Sequence, residues 1–322
     1  SLLGLHFLLS IGPKSDCVQK KVKSDIEGDS FVSAVILDGK ALGLRIEAHL
    51  AERVAALKNS GIEPHLAVVL AGDDPASHIY VRNKQRACER CGIKSTRIDL
   101  PNDVSQEQLM RVVANLNSDE SVHGILVQSP TPDGTDELAI TETIDPSKDV
   151  DGFHPTNLGR LVMGQTDGLL PCTPAGVIQI IEDANIDLTG KKAVVIGRSR
   201  IVGMPLALLL AQKGIDATVT IAHSRTEDIG EICRTADLVV AAIGRAETIQ
   251  ADWIKPGSTV IDVGINRVVD ESRDSGSRLA GDVDPAVSEV AGHMTPVPGG
   301  VGPMTISMLM SNTVRAAEML LD

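Results

Sequence analysis

The run KAVVIGRSRIVGMPLALLLAQKG, residues 192–214, restricts this chain more than any other stretch. A short β-branched apolar segment stops at Gly197, turn chemistry fills the stretch up to Gly203, and an apolar helical segment continues to Gly214. β-Branched residues without polar alternation suit a strand buried on both faces, as in a parallel sheet. A glycine turn between such a strand and a helix leaves backbone N–H groups free to hold an anionic phosphate. The turn departs from the common G-x-G-x-x-G by carrying Ser199 where a second glycine is usual. An ordinary strand-to-helix turn would fit the same letters, but the flanking strand and helix favour a dinucleotide site.

ATVTIAHS, ADLVVAAIG and STVIDVGI follow as further strands, so the C-terminal half is expected to form a Rossmann-like doubly wound parallel sheet. The N-terminal half alternates in the same way. Apolar residues at helical spacing run from 39 to 59 and stop before Gly61; the strand HLAVVLAG comes next. Asp73, Asp74 and Ser77 offer caps for a helix from about Ala76 to Cys91. STRIDL, SQEQLMRVVANLNS and VHGILVQSP then read as strand, helix and strand. The pattern predicts an α/β protein of two three-layer units, divided near the Pro- and Gly-punctuated crossover DPSKDVDGFHPTNLGRL. PCTPAGVIQIIEDANI is expected to be a linking helix, and VVDESRDSGSRLAGDVDP an extended hairpin insertion.

Composition removes several function classes. Aromatics make up 2% of the chain, which leaves the core to Val, Ile, Leu and Ala, and the formal net charge is −13 with no dense Lys/Arg cluster. A nucleic-acid partner is therefore not expected. No apolar run is long enough for a membrane span; the opening SLLGLHFLLSIG is short and not Arg-rich, and of a signal remnant, an ordered accessory segment or a disordered tail, the tail is the expectation. The five cysteines, at 17, 88, 91, 172 and 233, have no framework spacing. Cys88 and Cys91 form a C-x-x-C pair without a second pair at zinc distance, so they are read as buried thiols in a reducing compartment, the cytoplasm, with a mitochondrial setting left open.

Candidate reactive groups lie in the N-terminal half. Tyr80, the one tyrosine, and Lys84 are four residues apart on a predicted helix and so share a face. A lysine whose pKa is lowered by burial serves as acid or base, although a surface lysine packed on an aromatic fits the same letters. Gln128 ends a buried strand, where open α/β sheets bind ligands. Asp149 and Asp151 flank Val150 and could be metal ligands, turn formers or substrate acceptors; no third oxygen ligand accompanies them, so no metal is expected. After the strand ATVTIAHS come His223, Ser224 and Arg225, with no carboxylate before Glu227; with Arg198 and Arg200 this favours a 2′-phosphate and hence NADP over NAD. TPVPGGVGPMT, residues 295–305, is stiff yet open to close approach by a planar ligand, and equally fits a plain connecting loop.

In order, AGDDPASHIYVRNKQRACERCGI, GILVQSPTP, PSKDVDGFHPTNLGRL, PCTPAGV, VVIGRSRIVGMP, VIDVGINR and TPVPGGVGPMT closely resemble the methylenetetrahydrofolate dehydrogenase/cyclohydrolase family over residues 34–322. The resemblance implies oxidation of methylenetetrahydrofolate with NADP and hydrolysis of the methenyl product to formyltetrahydrofolate, in one-carbon metabolism. It implies a folate-binding catalytic domain over 34–154 completed by 299–322, an NADP-binding domain over 155–298, an N-terminal extension over 1–33, and a homodimer. Lys84 matches the catalytic lysine, Tyr80 the tyrosine against the folate, Gln128 the glutamine supporting the lysine, and Asp151 the acid anchoring the pterin. Val81, Arg82 and Asn83, with Val127 and Ser129, fall on the same substrate-binding segments. Pro298, Gly299, Gly300, Val301 and Gly302 match the loop over the folate; Gly197, Arg198, Ser199, Ser224 and Ile265 match cofactor contacts. Ser129 and Thr131 stand where the family often has leucine, and Thr156 where it often has tyrosine. A dehydrogenase without hydrolytic activity and a non-catalytic folate-binding protein are the competing expectations.

Overall fold

The computed structural model describes residues 33–321 except 166, 274 and 275, so the expected N-terminal tail and Cys17 lie outside the described residues. Strand β1 (Val35–Ile36) and helix α1 (Gly39–Asn59) come first. The chain divides into two compact units, one of Gly43–Cys172 with Thr305–Asp322, the other of the residues up to Leu42 with Thr173–Met304.

The first unit has a parallel sheet of order β3-β2-β4, from β2 (His65–Ala71), β3 (Lys94–Leu100) and β4 (Gly124–Val127). β2 is central and buried at every position, as its unbroken apolar run requires. Helix α2 (Pro75–Cys91) starts where Asp74 accepts from the Ser77 N–H at 2.8 Å, with proline in its first turn, and ends at Gly92 in the left-handed region, φ 73°. α3 (Gln106–Ser118) opens with a capping box between Ser105 and Gln108. Two short helices, α4 (Glu137–Thr143) and α5 (Pro155–Val162), occupy stretches where the sequence shows only turn punctuation. They are held by caps rather than by a long apolar face. Asp136 Oδ1 accepts from the Leu138 and Ala139 N–H groups, and His154 Nδ1 accepts from that of Thr156.

The second unit follows α6 (Cys172–Asp183) and contains β5 (Lys192–Ile196), α7 (Gly203–Ala211), β6 (Thr218–Ala222), α8 (Ile229–Arg234), β7 (Leu238–Ala241), β8 (Thr259–Asp262), β9 (Asn266–Val269), β10 (Ser277–Ala280) and β11 (His293–Met294); α9 (Val301–Glu318) ends the described chain. Six strands form one parallel sheet in the order β1-β11-β8-β7-β5-β6. Its core is aliphatic: Val194, Ile196, Val239, Val260, Val283 and Val287 are all buried. β1 contributes only two pairs to β11, which explains why no alternation in the sequence announces it. β9 and β10 form the expected hairpin, antiparallel and in a register of Asn266 opposite Ala280 and Val269 opposite Ser277. This is the α/β architecture the alternation predicts, with a Rossmann-like sheet in the C-terminal half.

The four described cysteines are free and buried. Burial pushes the Cys88 and Cys91 thiols up to about 12, which makes them inert core groups. Among the described residues no helix is long and apolar enough to cross a membrane, and no group of His, Cys, Asp and Glu is arranged to hold a metal.

Candidate active site

In the three-stranded unit, α2 turns Val81, Ala87 and Cys88 into the core and leaves Tyr80, 44% exposed, on the same face as Lys84 one turn on. Lys84 Nζ donates to Gln128 Oε1 at 2.9 Å. Gln128 is well fixed for that contact. Its backbone N–H extends the sheet to Val69 O at 2.9 Å, and its Nε2 donates to Ser129 O at 2.6 Å, which leaves Oε1 to face the lysine. Val127 and Asn83 are half-buried, while Arg82 and Ser129 are exposed. Burial lowers the pKa of the Lys84 ammonium below the ordinary lysine value, and the negative charge of Asp151 opposes that shift. The Asp151 carboxyl is pushed up to about 6 by burial, against the pull of Lys84.

The two aspartates that the sequence leaves undecided have different tasks. Asp149 is 1% exposed and accepts from the His154 N–H at 2.7 Å and from Asn157 Nδ2 at 3.0 Å, so it ties down the turn leading into α5. Asp151 is left to act on Lys84. The turn that follows them needs Gly152, because a Cβ there would lie 2.4 Å from the Leu170 carbonyl carbon.

Two neighbours of this group escape sequence reasoning. Cys172 donates to Val150 O at 3.2 Å, and burial, reinforced by the nearby charge of Asp151 and opposed by Lys84, pushes its thiol well above the ordinary value. Asn312 on α9 donates to Val150 O and Leu170 O, each at 2.8 Å. Cys172 stands in the PCTPAGV motif, which reads as a helix start and a family motif without giving the thiol a role, and nothing in the local spacing around Asn312 marks it.

In the six-stranded unit, the glycine turn is closed too tightly for side chains. A Cβ at Gly197 would meet Ala242 O at 2.2 Å, and one at Gly203 would meet Gly197 O at 2.1 Å. Ser199, the departure from the common motif, accepts through Oγ from the Val202 and Gly203 N–H groups at 3.2 and 3.3 Å and so pins the turn. Arg198, Arg200, Ser224 and Arg225 are exposed. The loop after β6 is fixed by His223, whose Nδ1 accepts from the Arg225 N–H at 3.2 Å. Ile265, 45% exposed, lies against Gly302, where an added Cβ would sit 3.3 Å from Ile265 Cδ1. Gly300 is held by its N–H to Pro296 O at 2.8 Å, and Gly299 O accepts from Lys40 N at 2.9 Å. Pro298 is exposed, and Val301 is buried at the start of α9.

Sequence reasoning also missed two fully buried aspartates that frame Ile265. Asp282 accepts from the Ile243 and Gly244 N–H groups at 2.6 and 2.9 Å and from Asn266 Nδ2 at 2.9 Å. Asp262 accepts from the Gly264, Asp282 and Val283 N–H groups at 2.9 to 3.0 Å. The letters are visible in VIDVGIN and GDVDP, but their pairing exists only once the hairpin folds back.

A parallel α/β sheet with a glycine-turn cofactor cradle, accompanied by a half-buried lysine held by an amide, defines a class of nucleotide-dependent oxidoreductase with acid–base capacity. Family comparison is specific within that class. Residues 37–151 match the tetrahydrofolate dehydrogenase/cyclohydrolase catalytic domain and residues 171–321 its NAD(P)-binding domain, and the chain belongs to this family. It is 53% identical over 289 residues to the bifunctional protein FolD of Chlorobium chlorochromatii, covering 88% of this chain and 98% of that protein. Among solved structures it resembles the bifunctional FolD of Campylobacter jejuni, with 48% identity, a TM-score of 0.85, and coverage of 89% of this chain and 100% of the other. It also resembles the Trypanosoma brucei enzyme complexed with NADP and an inhibitor, with 41% identity, a TM-score of 0.85, and coverage of 90% and 99%.

Proposed function

We propose that this chain oxidises methylenetetrahydrofolate to the methenyl form with NADP and then hydrolyses that product to formyltetrahydrofolate. The single observation that carries the reading is Lys84 Nζ held by Gln128 Oε1 at 2.9 Å, with its basicity lowered by burial. The folate-binding role falls to residues 34–154 with 299–322 and the NADP-binding role to 155–298.

The residues of the glycine turn fit a dinucleotide, since Gly197 and Gly203 leave a cradle that a Cβ would fill. Gly197, Arg198 and Ser199 would hold the pyrophosphate, Ser224 with the neighbouring arginines the 2′-phosphate, and Ile265 the nicotinamide end. NADP supplies the hydride acceptor. Oxidation of the methylene bridge is driven by the lone pair of an adjacent folate nitrogen, so the protein needs no strong base there and its task is orientation. Tyr80 stacks on the folate, with Arg82, Asn83, Val127 and Ser129 lining its site, while Val81, expected there from the sequence, is turned into the core and holds the helix in place. Asp151 anchors the pterin, and Pro298 to Gly302 cover it. For hydrolysis, Lys84 in its neutral form takes a proton from the water that attacks the methenyl carbon and returns it to the folate nitrogen as that C–N bond breaks. The water's second proton leaves to solvent as the formyl C=O forms. Gln128 keeps Nζ aimed.

The test follows both products with NADP and with NAD at saturating methylenetetrahydrofolate. NADPH formation accompanied by methenyl decay faster than in buffer is expected. A clear preference for NAD, or methenyl decay at the buffer rate, would count against the reading. We also propose a homodimer. Sedimentation should give about twice the 34.0 kDa chain mass, and a monomer at micromolar concentration would contradict it.

A further inference from the structure

Backbone pairing in the six-stranded sheet runs on past β7 to Ala242, whose N–H donates to Ile196 O, and past β8 to Val263, whose N–H donates to Ala241 O, both at 2.9 Å. The next N–H groups along each loop find no strand partner, and two carboxyl groups take them. Asp282 Oδ2 accepts from Ile243 and Gly244 at 2.6 and 2.9 Å, and Asp262 Oδ1 accepts from Gly264 at 2.9 Å. The two acids are also tied together, because Asp262 Oδ1 accepts from the Asp282 N–H at 2.9 Å. Burying a carboxyl group is costly unless its oxygens are bonded, and these are 2% and 0% exposed. The backbone makes room for them. A Cβ at Gly264 would fall 2.2 Å from Asp282 Oδ1, and one at Gly281 1.8 Å from Asp262 Oδ2.

Both loops leave the carboxyl ends of parallel strands, the edge at which open α/β sheets bind their ligands. The glycine turn after β5 lies at the same edge, since a Cβ at Gly197 would strike Ala242 O at 2.2 Å. Ile265, 45% exposed, follows Gly264 directly. We propose that Asp262 and Asp282 are positioning residues for the oxidation: acting through the loops they hold, they fix the Ile243–Gly244 and Gly264–Ile265 backbone that seats the nicotinamide end of the cofactor. This rests on the NADP reading above, with Ile265 at that end, and extends it to the two acids. Hydride transfer needs donor and acceptor carbons close and in line, and a misplacement of about 1 Å is felt in rate.

Substitutions in the full chain test it. In Asp282→Ala the Ile243 and Gly244 N–H groups lose their acceptor. In Asp282→Asn the amide oxygen still serves both, and its Nδ2 meets Asn266, whose own side-chain amide can turn over to present oxygen. Asp262→Asn has no such relief, because Gly264, Asp282 and Val283 all offer it backbone N–H groups and the new Nδ2 must face one of them. Without cofactor, amide hydrogen exchange at Ile243 and Gly244 should quicken about tenfold or more in Asp282→Ala and stay near the wild-type rate in Asp282→Asn. With NADP, kcat for NADPH formation should fall about ten- to hundredfold in Asp282→Ala and Asp262→Asn, and Asp282→Asn should recover most of it. The Kd for NADP should rise no more than about threefold, since the glycine turn keeps the phosphates, and methenyl hydrolysis should fall far less than kcat. An undiminished kcat in both Asp282→Ala and Asp262→Asn would overturn the proposal. So would kcat, NADP affinity, hydrolysis and thermal stability all falling together, the mark of a merely structural pair. Should Asp282→Ala fail to fold, the two asparagine variants decide alone, and equal kcat values in them would contradict the assignment. A wild type that neither binds NADP nor forms NADPH would instead strike the cofactor reading.

Discussion

Lys84 illustrates how little of a residue's chemistry lies in its own side chain. An exposed lysine is a permanent cation at neutral pH. Here burial lowers its pKa while Asp151 holds part of the charge in place, and Gln128 fixes the direction of Nζ. Because the folded value lies below the ordinary 10.5, the neutral base is present at lower pH than for a free lysine. Enzyme-dependent methenyl hydrolysis should therefore rise with pH and reach half its limit below pH 10.5, and Gln128→Ala should lower it by roughly tenfold while Nζ loses its orientation. A hydrolytic rate flat across that range, after subtraction of the buffer reaction, would contradict this. The i, i+4 spacing of Tyr80 and Lys84 was legible in the sequence because a helix face is a local property. The contributions of Cys172 and Asn312 were not, since Asn312 reaches Val150 and Leu170 across more than a hundred residues of chain.

Elements with their own signal were readable, and those that borrow stability were not. β2, α2 and α3 announce themselves by unbroken apolar runs or by caps such as Asp74 and Ser105. α4 and α5 span seven and eight residues, too short for periodicity to separate them from turns, and β1 is two residues long. Helices of that length are marginal alone and depend on caps and packing. The glycine turn makes the opposite case, a local motif with a strict geometric demand. In Gly203→Ala the new Cβ would fall 2.1 Å from Gly197 O, so the turn must open. NADP affinity should drop at least about tenfold, read by fluorescence titration, while methenyl hydrolysis falls far less. Unchanged NADP affinity would show that the turn is not the phosphate cradle.

For the molecule as a whole, the alternation of strands and helices was sufficient to give two α/β units, because parallel sheets demand buried β-branched strands joined by crossovers. The course of the chain between units was less legible. α1 and α9 each carry residues of both units, with the division after Leu42 and after Met304, and no composition shift marks either point. Two activities on one chain imply two separable dependencies: oxidation on the cofactor cradle and substrate orientation, hydrolysis on one proton-handling group. The measurement that tests this most directly is a pair of assays on Lys84→Ala, NADPH formation and methenyl decay. Hydrolysis should fall to the buffer rate, a loss on the order of a hundredfold or more, while dehydrogenase activity is damaged less. A folded Lys84→Ala protein that hydrolyses the methenyl compound at the wild-type rate would contradict the account.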